Sequence, residues 1–165
     1  MMSETYVECL VARKSSFPLR LLKTILMMLT VCFFIIGMMG IFVMLVVAII
    51  LGVASYFAYM NADIEYEYLY LDKEISIDKV LAKSRRKKAA VYSIEKMEVL
   101  APVKSYHLDA FRNRELKTVD YSSGEADDKN KYVMVYEGNV KVILEPNAEM
   151  VKAIQAVAPR KVFTD

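Results

Sequence analysis

Five of the six residues in KSRRKK, Lys83 to Lys88, are cationic: Lys83, Arg85, Arg86, Lys87 and Lys88. A cluster of that density attracts phosphate and carboxylate groups. It lies about 20 residues beyond a long apolar run, so lipid or protein contact is one chemistry it could carry, each cation contributing about 1 kcal/mol when held close to an anionic membrane surface. The plainer alternative is a solvated turn whose charges oppose edge-to-edge strand pairing and keep the chain soluble.

Aromatic residues form a second pattern. Tyr66, Tyr68 and Tyr70 alternate along IEYEYLYL and share one face of an expected strand, either as packing or as a possible binding face for a protein or lipid. Tyr56 and Tyr59 fall where the apolar run ends, the usual place for an amphipathic ring at a membrane interface.

Catalytic constellations are sparse. His107 is the single histidine; Ser105 and Asp109 flank it at strand spacing, without the G-x-S-x-G turn that exposes a nucleophilic serine. Two cysteines and one histidine are too few for a zinc site, Asp127 and Asp128 lack EF-hand spacing, and five glycines form no phosphate loop. No catalytic residue, metal or cofactor is expected, and the chain reads as a non-enzyme. Cys9 and Cys32 suggest no disulfide.

The elements that must position these residues begin with a stretch of 39 residues, Thr24 to Ala62, that carries no charged side chain. A single crossing of the hydrocarbon core needs roughly 20 apolar residues. Phe17 to Ile36 and Ile41 to Met60 provide two such spans, with the turn at Gly37 to Gly40. One span with a re-entrant or surface-lying partner is the rival arrangement. Arg13, Lys14, Arg20 and Lys23 precede the first span as membrane-interface cations, whereas the turn carries no charge. The positive-inside rule then predicts a multi-pass protein of the cell membrane with both termini cytoplasmic. The apolar run is too long for a signal-peptide core and lacks a small-residue cleavage pattern.

Residues 62 to 165 carry 18 Lys/Arg and 18 Asp/Glu, a balance that argues against a nucleic-acid surface. Three regions follow: an N-terminal cytoplasmic segment (1–16), a two-helix transmembrane hairpin (17–60) and a soluble domain (62–165) long enough to bury its own core. Residues 4 to 12 read equally as a helix, from Tyr6, Val7, Leu10 and Val11, or as a short strand. In the soluble part, IEYEYLYL and EISIDKVL predict a hairpin turning near Asp72 and Lys73. AAVYSI (89–94), MEVLAPV and the segment around SYHLDAF are further strand candidates, and 120–130 is a loop. KYVMVYEG and NVKVILEP predict a hairpin turning at Gly138 and Asn139. Met150, Val151, Ile154 and Val157 then recur at helical spacing, with Asn147 as the cap and Pro159 as the stop. The expected class is α+β, a local antiparallel sheet closed by one helix.

The membrane hairpin, the stretch YEYLYLDKEISIDKVLAKSRRKKAAVYSIEKMEVL and the stretch KYVMVYEGNVKVILEPNAEMVKAI together resemble small clostridial membrane proteins that carry a bacterial pleckstrin-homology-like domain behind two membrane helices. The Ile-x-x-Met pattern of Ile94 and Met97 belongs to that likeness. It implies a seven-stranded, strongly bent antiparallel sheet plugged by a C-terminal capping helix, and it implies no activity. The function expected is a non-catalytic, membrane-anchored scaffold or membrane-surface binding module. Its partners would be the phospholipid bilayer, anionic lipids, and a membrane protein or a second copy of the chain, but no nucleic acid. The alternative is a small oligomeric channel or a transporter accessory subunit.

Overall fold

The computed structural model describes residues 6–15 and 17–164. They form two compact units, one made of Lys14–Ile64 with Leu81–Arg85, the other of the chain through Arg13, Glu65–Val80 and the chain from Arg86 onward.

The first unit is a helical hairpin of α1 (Phe17–Met38) and α2 (Val43–Ala62). Pro18 occupies the first turn of α1, where its missing amide leaves no intrahelical bond unmade. Both helices are long and apolar enough to cross a membrane, and large side chains such as Phe34, Ile35, Val46 and Ile50 are exposed along them. The turn comes later than the glycines suggest. Gly37 remains helical because it is the contact point with α2: a Cβ there would stand 2.6 Å from the Leu45 side chain. Gly40, with φ +108°, makes the actual reversal, and its amide donates to the Gly37 carbonyl at 3.3 Å.

The second unit is built on two four-stranded sheets. One has the order β1-β2-β3-β4, from β1 (Val7–Arg13), β2 (Ile64–Leu71), β3 (Glu74–Leu81) and β4 (Arg85–Ser93). The other has the order β5-β7-β8-β6, from β5 (Met97–Pro102), β6 (Lys117–Asp120), β7 (Tyr132–Tyr136) and β8 (Val140–Leu144). The N-terminal segment left open between helix and strand is therefore a strand over Val7–Arg13. Among the described residues, eight strands in two sheets stand in place of the single seven-stranded sheet. The second sheet is not wholly antiparallel, since β6 runs parallel to β8 with Lys117 opposite Val140.

Tight turns set the registers. Positive φ at Asp72 and Lys73, at Ala82 and Lys83, and at Glu137 and Gly138 gives three tight turns, each with two successive left-handed residues, of the kind whose twist matches paired antiparallel strands. The last hairpin thus turns on Glu137 and Gly138, one residue earlier than expected, with Tyr136 opposite Val140.

SYHLDAF is not a strand. Val99, Ala101, Val133 and Val135 form an aliphatic patch on the outer face of β5 and β7. The segment folds over it as a short 3₁₀ helix, Tyr106–Phe111, bringing Leu108 and Phe111 into contact. Alternate residues Leu100, Met134 and Val142 are also fully buried, so β5 and β7 are covered on both faces. After β8 comes α3 (Ala148–Val157), capped by Asn147, whose Oδ1 accepts from the Met150 amide at 2.8 Å; Met150, Val151 and Ile154 are buried. The C-terminal segment shields the free edge of β5: the Leu100 amide donates to Lys161 O at 2.7 Å and the Phe163 amide to Leu100 O at 2.9 Å.

Candidate functional site

The basic run is divided by the fold. Only Ala82 to Ser84 form the turn, and Arg85 to Lys88 begin β4. Lys83 and Arg85 belong to the helical unit, whereas Arg86, Lys87 and Lys88 belong to the β unit. All five side chains are exposed.

Within the helical unit, the turn is fastened to the end of α2. The Ala82 amide donates to Asp63 O at 2.8 Å and the Ser84 amide to Leu81 O at 3.1 Å. On the same residue, the Asp63 carboxylate meets Lys23 Nζ at 3.5 Å, and that ammonium stands 4.1 Å from the centre of the Tyr59 ring. Arg20 Nε donates to Ser15 Oγ. Lys14 and Tyr56 are exposed, the Tyr56 ring standing edge-on to Phe57 at 6.0 Å. The start of α1, the end of α2 and the turn thus gather Lys23, Tyr59, Lys83 and Arg85 at one end of an apolar hairpin. Such a ring of cations and amphipathic rings has the composition suited to a headgroup layer.

Arg13 is engaged elsewhere. Its Nη1 donates to Tyr66 Oη at 2.8 Å and to Asp120 O at 3.3 Å, joining β1 to both sheets. Arg86 is likewise held, with Nη2 3.2 Å from Glu67 Oε1. Glu67 is only 5% exposed, and its Oε2 accepts no hydrogen bond among the described residues. A hydrogen bond with Glu8, and then burial, raise the Glu67 carboxyl above its ordinary value; Asp78 adds to the effect and Arg86 opposes it. Glu8 is lowered by the same bond with Glu67 and by Tyr6, whose hydroxyl donates at 3.1 Å. The two neighbouring carboxyl groups are thus pushed in opposite directions, Glu67 up and Glu8 down. Sequence spacing gave no sign of it, because Glu8 and Glu67 meet only through the β1–β2 pairing.

Tyr66, Tyr68 and Tyr70 are in the core, at 6%, 0% and 2% exposure. Tyr68 Oη donates to Tyr121 O at 2.5 Å and accepts from the Glu145 amide at 3.4 Å; burial pushes its hydroxyl well above the ordinary range. Tyr66 and Tyr92 both stand edge-on to Tyr121, and Tyr92 does so to Tyr136. These rings bridge the two sheets.

His107 is stacked on Phe163 at 3.5 Å and lies beside Tyr106 at 3.9 Å. Ser105 Oγ caps the 3₁₀ helix by accepting from the His107 amide, and Asp109 pairs with Arg112 at 3.5 Å. Each of the three has a packing or capping contact of its own. Among the described residues no group of three or more His, Cys, Asp or Glu side chains could hold a metal. Cys9 lies against Glu145 O at 3.8 Å, its thiol raised by burial, and Cys32 is exposed on α1.

Residues 3–164 match the family described as "Bacterial PH-like domain (DUF6106)". No curated protein and no solved structure matches the chain.

Proposed function

This chain belongs to the DUF6106 family of bacterial PH-like domains, and on that premise we propose that it is a non-catalytic binding module anchored in the cell membrane. In this reading α1 and α2 cross the bilayer as a hairpin, both termini face the cytoplasm, and the turn before β4 lies against anionic headgroups. The observation that carries the reading is the Ala82–Asp63 hydrogen bond of 2.8 Å, which fixes Lys83 and Arg85 beside the end of α2.

Apolar exposure supports anchoring over a soluble role. In a soluble protein a helix hides an apolar stripe against the core, yet α1 and α2 expose Leu, Ile, Val and Phe side chains along their length. Orientation follows from charge: Arg20, Lys23, Lys83 and Arg85 share one end, and no charged residue lies between the helices. A channel is less well supported, because no charged side chain from Thr24 to Ala62 is present to line a polar path.

The test places a photocrosslinking residue at Ser84 of the full chain in native membranes, with Lys129 as the control position. Crosslinks to lipid at 84 and not at 129, weakened when Lys83 and Arg85 are changed to Gln, are the expected result. Equal lipid crosslinking at both positions would overturn the headgroup assignment.

A further inference from the structure

A cleft of about 530 Å³ opens between the 3₁₀ helix Tyr106–Phe111 and the outer face of the second sheet. We propose that it is a binding site for a small aliphatic carboxylate, an apolar chain ending in an anionic head. This goes beyond the membrane-surface reading and uses none of its residues.

The walls explain the apolar half of the ligand. Val133 and Val135 form the floor, and Val103, Leu108, Phe111 and Leu116 form the sides. The four side residues are half-buried although each packs on the aliphatic patch. The volume falls within the roughly 300–1,000 Å³ usual for a small-molecule pocket, and the apolar floor and sides make up half of the lining, the other half being polar or charged.

Charge explains the other half. On the sheet face where Val99, Ala101, Val133, Val135 and Ile143 are aliphatic, the position directly opposite Val135 is Lys141. Lys141 also lines the cleft, and its methylene stem is long enough to cover apolar surface while its ammonium stays in water. The acids of the lining are already compensated: Asp109 by Arg112 at 3.5 Å and Asp128 by Lys131 at 3.4 Å. Lys104 and Lys141, also in the lining, have no acidic partner among the described residues. The cleft therefore presents an apolar floor with two uncompensated cations, complementary to a carboxylate on an alkyl chain.

The experiment uses the full chain in phosphatidylcholine nanodiscs with labelled Val and Leu methyl groups, titrated with octanoate and, separately, with octanol. Saturable octanoate shifts are expected at Val103, Leu108, Leu116 and Val133, with no matching response to octanol. Lys141→Met should weaken octanoate binding about tenfold, the loss expected for one charge-assisted contact, and Lys141→Arg should restore it. Should Lys141→Met fail to fold, Lys104→Met with Lys141→Arg decides: weakened binding in the first and retained binding in the second are required. Shifts that track those of α1 and α2 methyls without saturating, equal responses to octanol, or unchanged affinity on neutralising the lysines would each overturn the proposal.

Discussion

Arg86 reaches the buried carboxylate of Glu67 at 3.2 Å, so one cation of the basic run is a structural partner inside the β unit. In the proposed reading the headgroup contact therefore falls to the turn residues Lys83 and Arg85, while Arg86 serves the β unit.

That division gives a first prediction. Changing Lys83 and Arg85 to Gln should reduce phosphatidylglycerol retained by the solubilised protein in native mass spectrometry. Each lost cation is worth about 1 kcal/mol near an anionic surface, roughly fivefold in binding. Arg86→Gln should leave retention unchanged and lower the unfolding temperature, because Glu67 loses its partner. Equal effects from the two sets of changes would contradict the division.

Glu67 makes stability depend on pH. Its folded-state pKa is raised above that of the unfolded chain, so the native state binds more protons in that interval. The contribution is complete below the unfolded value and is lost as pH rises through the folded one. Glu8, shifted down, contributes in the opposite sense: stability present above its unfolded value and lost as pH falls through its folded one. Glu67→Gln removes the first titration while keeping an uncharged hydrogen-bonding group. Thermal unfolding should show the variant gaining on the wild type as pH rises from mildly acidic to neutral; parallel profiles would argue against a raised Glu67 carboxyl.

Tyr68→Phe removes a hydroxyl that serves both Tyr121 O and the Glu145 amide. Leaving buried backbone groups unpaired should cost about 1–3 kcal/mol in denaturant unfolding. A change near zero would mean that those groups find other partners.

Ala82 adopts φ +47°, a conformation that costs an ordinary L-residue roughly 1–2 kcal/mol. Ala82→Asn, which suits the first central position of this turn, should stabilise the chain by about 0.5–1 kcal/mol. Its backbone bond to Asp63 requires no alanine side chain and should persist. A loss of stability would show that the methyl group makes a contact of its own.

Gly37 approaches Leu45 too closely for a larger residue. Gly37→Val should destabilise the helical hairpin by about 1–3 kcal/mol, the usual cost of overpacking, as measured by equilibrium unfolding in mixed micelles. An unchanged midpoint would show that α1 and α2 adjust freely.

Much of the layout was legible because it rests on local signals. Uninterrupted apolar residues marked α1 and α2, alternation marked β2 and β3, and Asn147 marked the start of α3. Tyr106–Phe111 was misread because its residues alternate like a strand, while its true conformation is dictated by a patch on β5 and β7 that must be covered. Gly37 was misread as a turn because a glycine needed for close packing and one needed for positive φ look alike in sequence. The Glu8–Glu67 contact and the cleft beside Lys141 depend on pairings between distant strands, for which one sequence carries no signal.

The most direct measurement is thiol accessibility in intact cells, with Cys9 and Cys32 replaced and single cysteines placed at Met39, between the helices, or at Lys129, in the β unit. An impermeant maleimide should label position 39 from outside and position 129 only after permeabilisation. Labelling of position 129 in intact cells, or protection of both positions until the membrane is opened, would contradict a bilayer-spanning hairpin that holds the domain at the cytoplasmic surface.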